Sequence, residues 1–153
     1  MAATRQRAAH VGVELYVVHA DLAGIDVADF DLITCNPPYV PTPPGSANSA
    51  DGPSWAWNAG SDGRAVLDVL CAVGPGLLAS GGTMLIVQSE LADVPRSLCA
   101  LHAAGLRSTV VRDRAIPFGR VMTSRRSRLI TAGLLDPRAD TESIAVIRSE
   151  DPR

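Results

Sequence analysis

FDLITC at residues 30–35, followed at once by Asn36-Pro37-Pro38-Tyr39, is the stretch that decides the fold. Its first six residues are largely apolar or β-branched, which is typical of a buried strand. Because proline has no N–H to donate, the double proline must end the ladder and turn the chain out of the sheet. Open α/β sheets bind ligands just outside the carboxyl ends of their strands, so the tetrapeptide occupies a predicted functional position.

Strands and helices alternate around this stretch, which predicts an α/β fold with a mostly parallel sheet and helices on both faces. The whole chain, residues 1–153, is predicted to be one domain. Residues 40–63 are rich in Pro, Gly, Ser and Asn and are predicted to form a long active-site loop. The predicted strands are residues 13–20, 30–35, 83–88, 106–112 and 143–148, and the predicted helices are residues 4–11, 64–73, a segment capped by Asp93, and 121–134.

Composition excludes several classes of protein. The 153 residues are 46% hydrophobic and 20% charged, which is ordinary for a globular domain. The net charge of −2 argues against non-specific coating of nucleic acid. The sequence has neither an apolar run of the roughly 18–20 residues needed to span a membrane nor a signal-peptide core, so a cytoplasmic location is expected. The three cysteines are too scattered for a zinc site, and no metal site is predicted.

The tetrapeptide can hold a planar nitrogen group. The Asn36 side chain offers one acceptor and two donors, and the stiff prolines can present the Pro37 carbonyl as a fixed acceptor. Tyr39 adds a flat face for stacking. Two acceptors on the N–H groups of an amide or an exocyclic amine would favour attack by its lone pair on an electrophile. A simple proline turn is the structural alternative.

An ordered set of segments resembles a known family. NPPY after a hydrophobic strand resembles the amino-group methyltransferases of the class I S-adenosylmethionine-dependent fold. The segments ADL, FDLITCNPPYVP, AGSDG, LLASGGTMLIV, AIPFG and ESIAVIR resemble the HemK-type protein glutamine methyltransferases. This resemblance covers nearly the whole chain and implies a class I methyltransferase (Rossmann-like) sheet.

The resemblance also implies catalytic residues and a substrate. Asn36 and the Pro37 carbonyl would hold a glutamine side-chain amide, with Pro38 completing the motif and Tyr39 packing on the amide. The acceptor in this family is a peptide-chain release factor, methylated within its GGQ tripeptide. RNA or DNA amino-group methylation is the second hypothesis, because Tyr39 could stack on a flipped base. It ranks lower because the chain lacks a basic surface interleaved with aromatic residues.

The cofactor implied by the resemblance is S-adenosyl-L-methionine. Asp21 matches the acidic position that contacts its adenine, Leu22 would line the same pocket, and Asn36 is shared with the substrate. The family's Gly-rich turn and ribose-binding carboxylate have no counterpart here, so an N-terminally truncated domain is expected. An inactive fragment is therefore the third hypothesis. Asp21 could instead be a simple cap.

Aromatic and basic residues outside the motif have structural interpretations as well. Trp55 and Trp57 are predicted to anchor the long loop on the core, with a substrate platform as the alternative. The arginines between Arg112 and Arg128 are predicted to form a solvated helix face, with a docking patch for a release factor or ribosomal RNA as the alternative.

Overall fold

The computed structural model describes residues 2–42, 44 and 54–153. It contains four α-helices and four strands in these ranges. The helices are α1 (Ala2–Val11), α2 (Ala65–Val73), α3 (Val94–Ala103) and α4 (Arg120–Thr131), and the strands are β1 (Phe30–Cys35), β2 (Leu78–Ser89), β3 (Arg107–Pro117) and β4 (Thr141–Glu150).

The strands form one sheet in the order β1-β2-β4-β3. β1 runs parallel to β2, and β4 runs antiparallel to both β2 and β3. β1, β2 and β3 therefore point the same way, which confirms the α/β class with its largely parallel strand direction. The sheet is mixed, because the reversed β4 lies between β2 and β3. The carboxyl ends of β1, β2 and β3 consequently share one edge with the beginning of β4, and we call this the carboxyl edge.

The main core lies between α2, α3 and one face of the sheet. Leu67 and Leu101 from the two helices are fully buried against Met84, Ile86 and Ile147 of the central strands. The sequence predicts helices on both faces. In the ranges that the structure describes, α2 and α3 pack on this one face, and on the other face Leu32 of β1 remains 58% exposed.

The strand predicted at residues 13–20 is wrong. The structure gives this segment no regular secondary structure, and β1 pairs with β2 alone among the described strands. A β-branched apolar run forms a strand only where a neighbour completes its hydrogen bonds, and the pattern itself does not report a neighbour. Its side chains instead line an open cavity of about 420 Å³ beside β1, with Tyr16 90% exposed.

Other predicted elements are confirmed with small changes of boundary. The Asp93 carboxylate caps α3 by accepting a hydrogen bond from the Arg96 backbone N–H at 3.0 Å. The loop at residues 40–63 contains one 3-10 turn, Ser54–Ala56, and one bridge between Val40 and Asn58. Residues 43 and 45–53 of that loop lie outside the described residues. Of the helices described, none has the length and apolar character needed to cross a bilayer.

Candidate functional site

The Asn36–Tyr39 tetrapeptide lies at the carboxyl edge of the sheet. β1 ends at Cys35, and Asn36 follows it as an exposed residue. Pro37 is buried and Tyr39 is half-buried, so the motif turns inward immediately after Asn36. The sequence-predicted position of these residues, just beyond a strand end, is therefore the position they take in the fold.

The far end of the long loop folds back on the chain that follows the motif. The Val40 N–H donates to the Trp57 carbonyl at 3.0 Å, and the Ala59 N–H donates to the Val40 carbonyl at 3.2 Å. Thr42 continues the pairing, because its backbone N–H donates to the Gly60 carbonyl at 2.7 Å. These bonds bring Trp57 beside the tetrapeptide.

Trp57 and the tetrapeptide together enclose a small cavity of about 120 Å³. Asn36, Pro37, Pro38 and Tyr39 all contribute to its lining. We call it the motif cavity. Its volume equals about four water molecules at roughly 30 Å³ each, which is the scale of a side-chain amide with its adjacent methylene groups. The fold thus converts four consecutive residues into a concave site.

Gly63 fixes the distance between the loop and the motif. It has φ +77°, which is the left-handed region. A Cβ at this position would lie 2.5 Å from the Tyr39 carbonyl oxygen and 3.2 Å from the Pro41 ring. Only glycine fits here without displacing the backbone of the motif. Gly63 also lies in the turn that enters α2, where Asp62 accepts a hydrogen bond from the Arg64 N–H at 3.1 Å.

Arg125 of α4 binds both strands of the folded loop. It is 3% exposed, and its Nη1 donates to the Pro41 carbonyl at 3.3 Å and to the Thr42 hydroxyl at 3.2 Å. Its Nη2 donates to the Asn58 side-chain oxygen. Burial lowers the pKa of this guanidinium. One side chain from a distant helix therefore holds the chain after the motif against the end of the loop.

Arg64 holds the start of α2 in a similar way. It is 1% exposed, its Nε donates to Asp68 at 2.8 Å, and its Nη1 donates to the Asp93 carbonyl at 2.9 Å and to the Ser97 hydroxyl at 3.1 Å. The same Nη1 donates to the Ala92 carbonyl. Since Arg64 directly follows Gly63, it ties the end of the loop to the turn between β2 and α3.

Tyr39 is partly shielded from solvent and lies near the negative charge of Glu142. Burial, followed by the negative charge of Glu142, raises the pKa of its phenol. Glu142 comes from the beginning of β4, is 6% exposed, and accepts a hydrogen bond from the Ser89 hydroxyl at 2.6 Å. Tyr39 is therefore a neutral aromatic surface at physiological pH, with its ring available for packing.

Comparisons with known proteins agree with this architecture. No protein-family model matches the chain. Protein N5-glutamine methyltransferase MJ0928 of Methanocaldococcus jannaschii is 30% identical over 118 residues, covering 76% of this chain and 59% of that protein. Methyltransferase HEMK2 of Homo sapiens is 34% identical over 84 residues, covering 55% of this chain and 39% of that protein. The chain is therefore similar in sequence to HemK-type methyltransferases over about three quarters of its length.

The HemK-type resemblance that the sequence segments indicate is thus confirmed. The chain spans less than two thirds of the length of either relative. Among solved structures, the YcgJ protein from Bacillus subtilis matches with a TM-score of 0.59 and 14% sequence identity, covering 99% of this chain and 78% of that one. This likeness concerns the fold alone.

Two of the residues that the HemK resemblance assigns to the cofactor, Asp21 and Leu22, precede β1, whereas the third, Asn36, directly follows it. Asp21 is exposed and caps the 3-10 turn Leu22–Gly24 by accepting a hydrogen bond from the Ala23 N–H at 3.0 Å. Leu22 lines the larger cavity beside β1, together with Thr34 and Cys35. Asn36, the next residue along the chain, lines the motif cavity. The last residues of β1 therefore line one cavity, and the residue that follows β1 lines the other.

Two sequence predictions for aromatic and basic residues need correction. Trp57 anchors the loop as predicted, but Trp55 is 76% exposed, because the loop turns back through the 3-10 helix that contains it. The solvated face predicted for the arginines is wrong for Arg125, which is buried. Arg126 is half-buried and donates to the Ala139 carbonyl at 3.4 Å and to the Pro137 carbonyl.

Four residues that shape the site were not predicted as site residues from the sequence. Gly63, Arg64, Arg125 and Glu142 act through contacts with residues distant in the chain. Local pattern gives no sign of those contacts. A usable signal was present only for Gly63, as glycine beside aspartate just before a helix, because such a pair marks a turn that needs positive φ.

Proposed function

We propose that this chain contributes the acceptor side of a methyltransferase that modifies the side-chain amide nitrogen of glutamine in a protein. The observation that supports it most is the motif cavity, where Asn36, Pro37, Tyr39 and Trp57 meet at the carboxyl edge of the sheet in a HemK-type chain. The cavity's volume of about 120 Å³ favours an amide over a purine base with its attached sugar.

The chemistry assigned to the motif is positioning and polarisation. The Asn36 side-chain oxygen and the Pro37 carbonyl oxygen would each accept one N–H of the acceptor amide. Two acceptors would fix the plane of the amide and raise the electron density on its nitrogen. Tyr39 would pack on the face of the amide as a neutral ring. The proline backbone makes this arrangement rigid before substrate arrives, which lowers the entropic cost of the reaction.

S-adenosyl-L-methionine is the proposed cofactor, and it would supply the electrophilic methyl group when bound. The larger cavity beside β1 fits its adenine ring in chemical character, because apolar side chains such as Leu22 and Cys35 line it. The exposed carboxylate of Asp21, adjacent in sequence to Leu22, suits an exocyclic amine. We assign Asp21 and Leu22 to the adenine and Asn36 to the boundary between cofactor and acceptor.

The proposed acceptor is a peptide-chain release factor. The archaeal relative carries a name that specifies glutamine in a protein, and the sequence segments of this chain resemble the glutamine-modifying HemK branch. Because release factors act on cytoplasmic ribosomes, the proposal places the chain in the cytoplasm.

The test is methyl transfer from labelled S-adenosylmethionine to release factor, to total RNA and to duplex DNA, with wild type and Asn36→Ala. We expect label on the release factor only and its loss in Asn36→Ala. Asn36 is exposed, so the variant should keep its thermal melt, which serves as the folding control. Equal transfer by Asn36→Ala would contradict the proposed role of Asn36, and label on nucleic acid would favour the second hypothesis. A folded wild type that neither binds cofactor nor transfers label would favour an inactive fragment.

A further inference from the structure

A second cavity adjoins the motif cavity at the carboxyl edge. It has a volume of about 420 Å³ and shares Tyr39 and Trp57 with the motif cavity. Its remaining walls come from the end of β3, the first turn of α4 and the beginning of β4, including Ile116, Met122 and Glu142. We call it the Glu142 cavity. Because the two cavities share lining residues, an acceptor whose amide occupied the motif cavity would have its neighbouring atoms close to the Glu142 cavity.

The Glu142 cavity contains a buried negative charge. Glu142 is 6% exposed and receives the Ser89 hydroxyl hydrogen bond at 2.6 Å. Among the residues that the structure describes, it forms no ion pair within 4.0 Å. A buried carboxylate that receives one hydrogen bond from a neutral donor has a negative charge that is only partly compensated, and it therefore attracts a cation.

The walls of the cavity also suit a cation on an aliphatic stem. Tyr39 and Trp57 present aromatic rings, which attract lysine and arginine head groups through their π-electrons. Ile116 and Met122 offer apolar surface for the methylene groups of such a side chain. One other charged side chain, Arg120, lines the cavity, and its residue is exposed.

We propose that the Glu142 cavity binds a lysine or arginine side chain of the acceptor protein, close in space to the glutamine that is modified. This inference rests on the proposed function, because the occupant is part of the methyl acceptor. It assigns Glu142 as a specificity residue, with the Tyr39 and Trp57 rings shared between the two cavities. Arg120 has the same charge as the occupant and opposes it from the rim.

The experiment measures peptide binding without any reaction. The chain has two tryptophans, so a Trp55→Phe variant leaves Trp57 as the only tryptophan, which can be excited selectively over tyrosine. The probes are glycine-rich peptides with one central glutamine and one lysine, placed from one to three residues to either side. Matched peptides carry norleucine, which keeps the aliphatic stem and lacks the charge. Calorimetry on the same peptides gives an independent affinity.

We expect at least one lysine position to bind about tenfold more tightly than its norleucine match, as for one charge-assisted contact. Glu142→Gln, which keeps a carbonyl acceptor for Ser89, should remove that difference. Arg120→Gln should leave it intact or increase it. Equal affinity of lysine and norleucine peptides at every position would overturn the proposal, as would a preference for lysine that survives Glu142→Gln.

The two proposals fail in different ways in this design. Replacing the central glutamine by alanine should abolish methyl transfer while leaving the lysine preference detectable by fluorescence. A Glu142-dependent lysine preference without methyl transfer would therefore retain the binding site and reject the reaction. If Glu142→Gln unfolds, the affinities of lysine and norleucine peptides for the Trp55→Phe protein still test the proposal. The preference for lysine must also weaken with added salt if it arises from a charge contact.

Discussion

Substituting alanine for Gly63 tests whether the motif is held by direct backbone contact. Gly63 has φ +77°, and the added Cβ would lie 2.5 Å from the Tyr39 carbonyl oxygen. The same Cβ would lie 3.2 Å from two atoms of the Pro41 ring. These neighbours are a backbone atom and a closed ring, so neither can rotate away. The substitution must move the motif, the loop or both.

The expected cost has two parts. A non-glycine residue in the left-handed region costs about 1–2 kcal/mol. Forcing atoms into occupied space costs about 1–3 kcal/mol more. Gly63→Ala should therefore lower the free energy of unfolding by about 2–5 kcal/mol. Gly133 provides a matched control, because it has φ +72° with no atom within 4 Å of an added Cβ. Gly133→Ala should show the conformational part alone.

The assay is urea denaturation of wild type, Gly63→Ala and Gly133→Ala, followed by circular dichroism. The difference between the two variants isolates the close contact, and we expect about 1–3 kcal/mol. In methyl-transfer assays Gly63→Ala should lose activity under conditions where it is folded, because the Tyr39 carbonyl belongs to the motif. Equal destabilisation by the two substitutions, with activity retained in Gly63→Ala, would refute the argument that this contact positions the motif.

Two further predictions concern the surroundings of the motif. Arg125→Met should destabilise the chain by about 2–3 kcal/mol, because it leaves buried acceptors without a donor. The control Arg128→Met, on the exposed side of α4, should change stability little. Equal effects of the two variants in thermal or urea unfolding would argue against the Arg125 contacts. In a Tyr16→Phe background, ultraviolet absorbance should show Tyr39 ionising above the ordinary phenol range, owing to burial and then to Glu142. The stability that the Tyr39 phenol contributes is fully present below its unfolded-state pKa of about 10, and it is lost as pH rises through the raised pKa of the folded state. Glu142→Gln should lower the Tyr39 pKa, and an unchanged value would contradict the charge contact.

The motif was predictable because its chemistry is local. An apolar segment, a double proline and their order along the chain place Asn36 at a strand end without any tertiary information. The alternation of elements likewise predicts the α/β class. Neither the position nor the direction of β4 was predictable, because the alternation of strands and helices specifies neither where a strand enters the sheet nor which way it runs.

The errors arise where a neighbour decides the outcome. Residues 13–20 have strand propensity, but a strand also requires a partner with free hydrogen-bonding groups. Arg125 lies in a polar helix whose sequence resembles a solvated face, and only the fold brings it to Asn58 and Thr42. Glu142 becomes a site residue through the neighbourhood of Tyr39 and Ser89, which are 103 and 53 positions away in sequence.

The central claim is that the motif cavity presents a glutamine side-chain amide for methylation. The most direct measurement is tandem mass spectrometry of a release factor after incubation with the wild-type chain and S-adenosylmethionine. The account predicts one added methyl group on the side-chain nitrogen of glutamine, absent with Asn36→Ala. A methyl group on any other residue type, or the same glutamine methylated equally by folded Asn36→Ala, would contradict it.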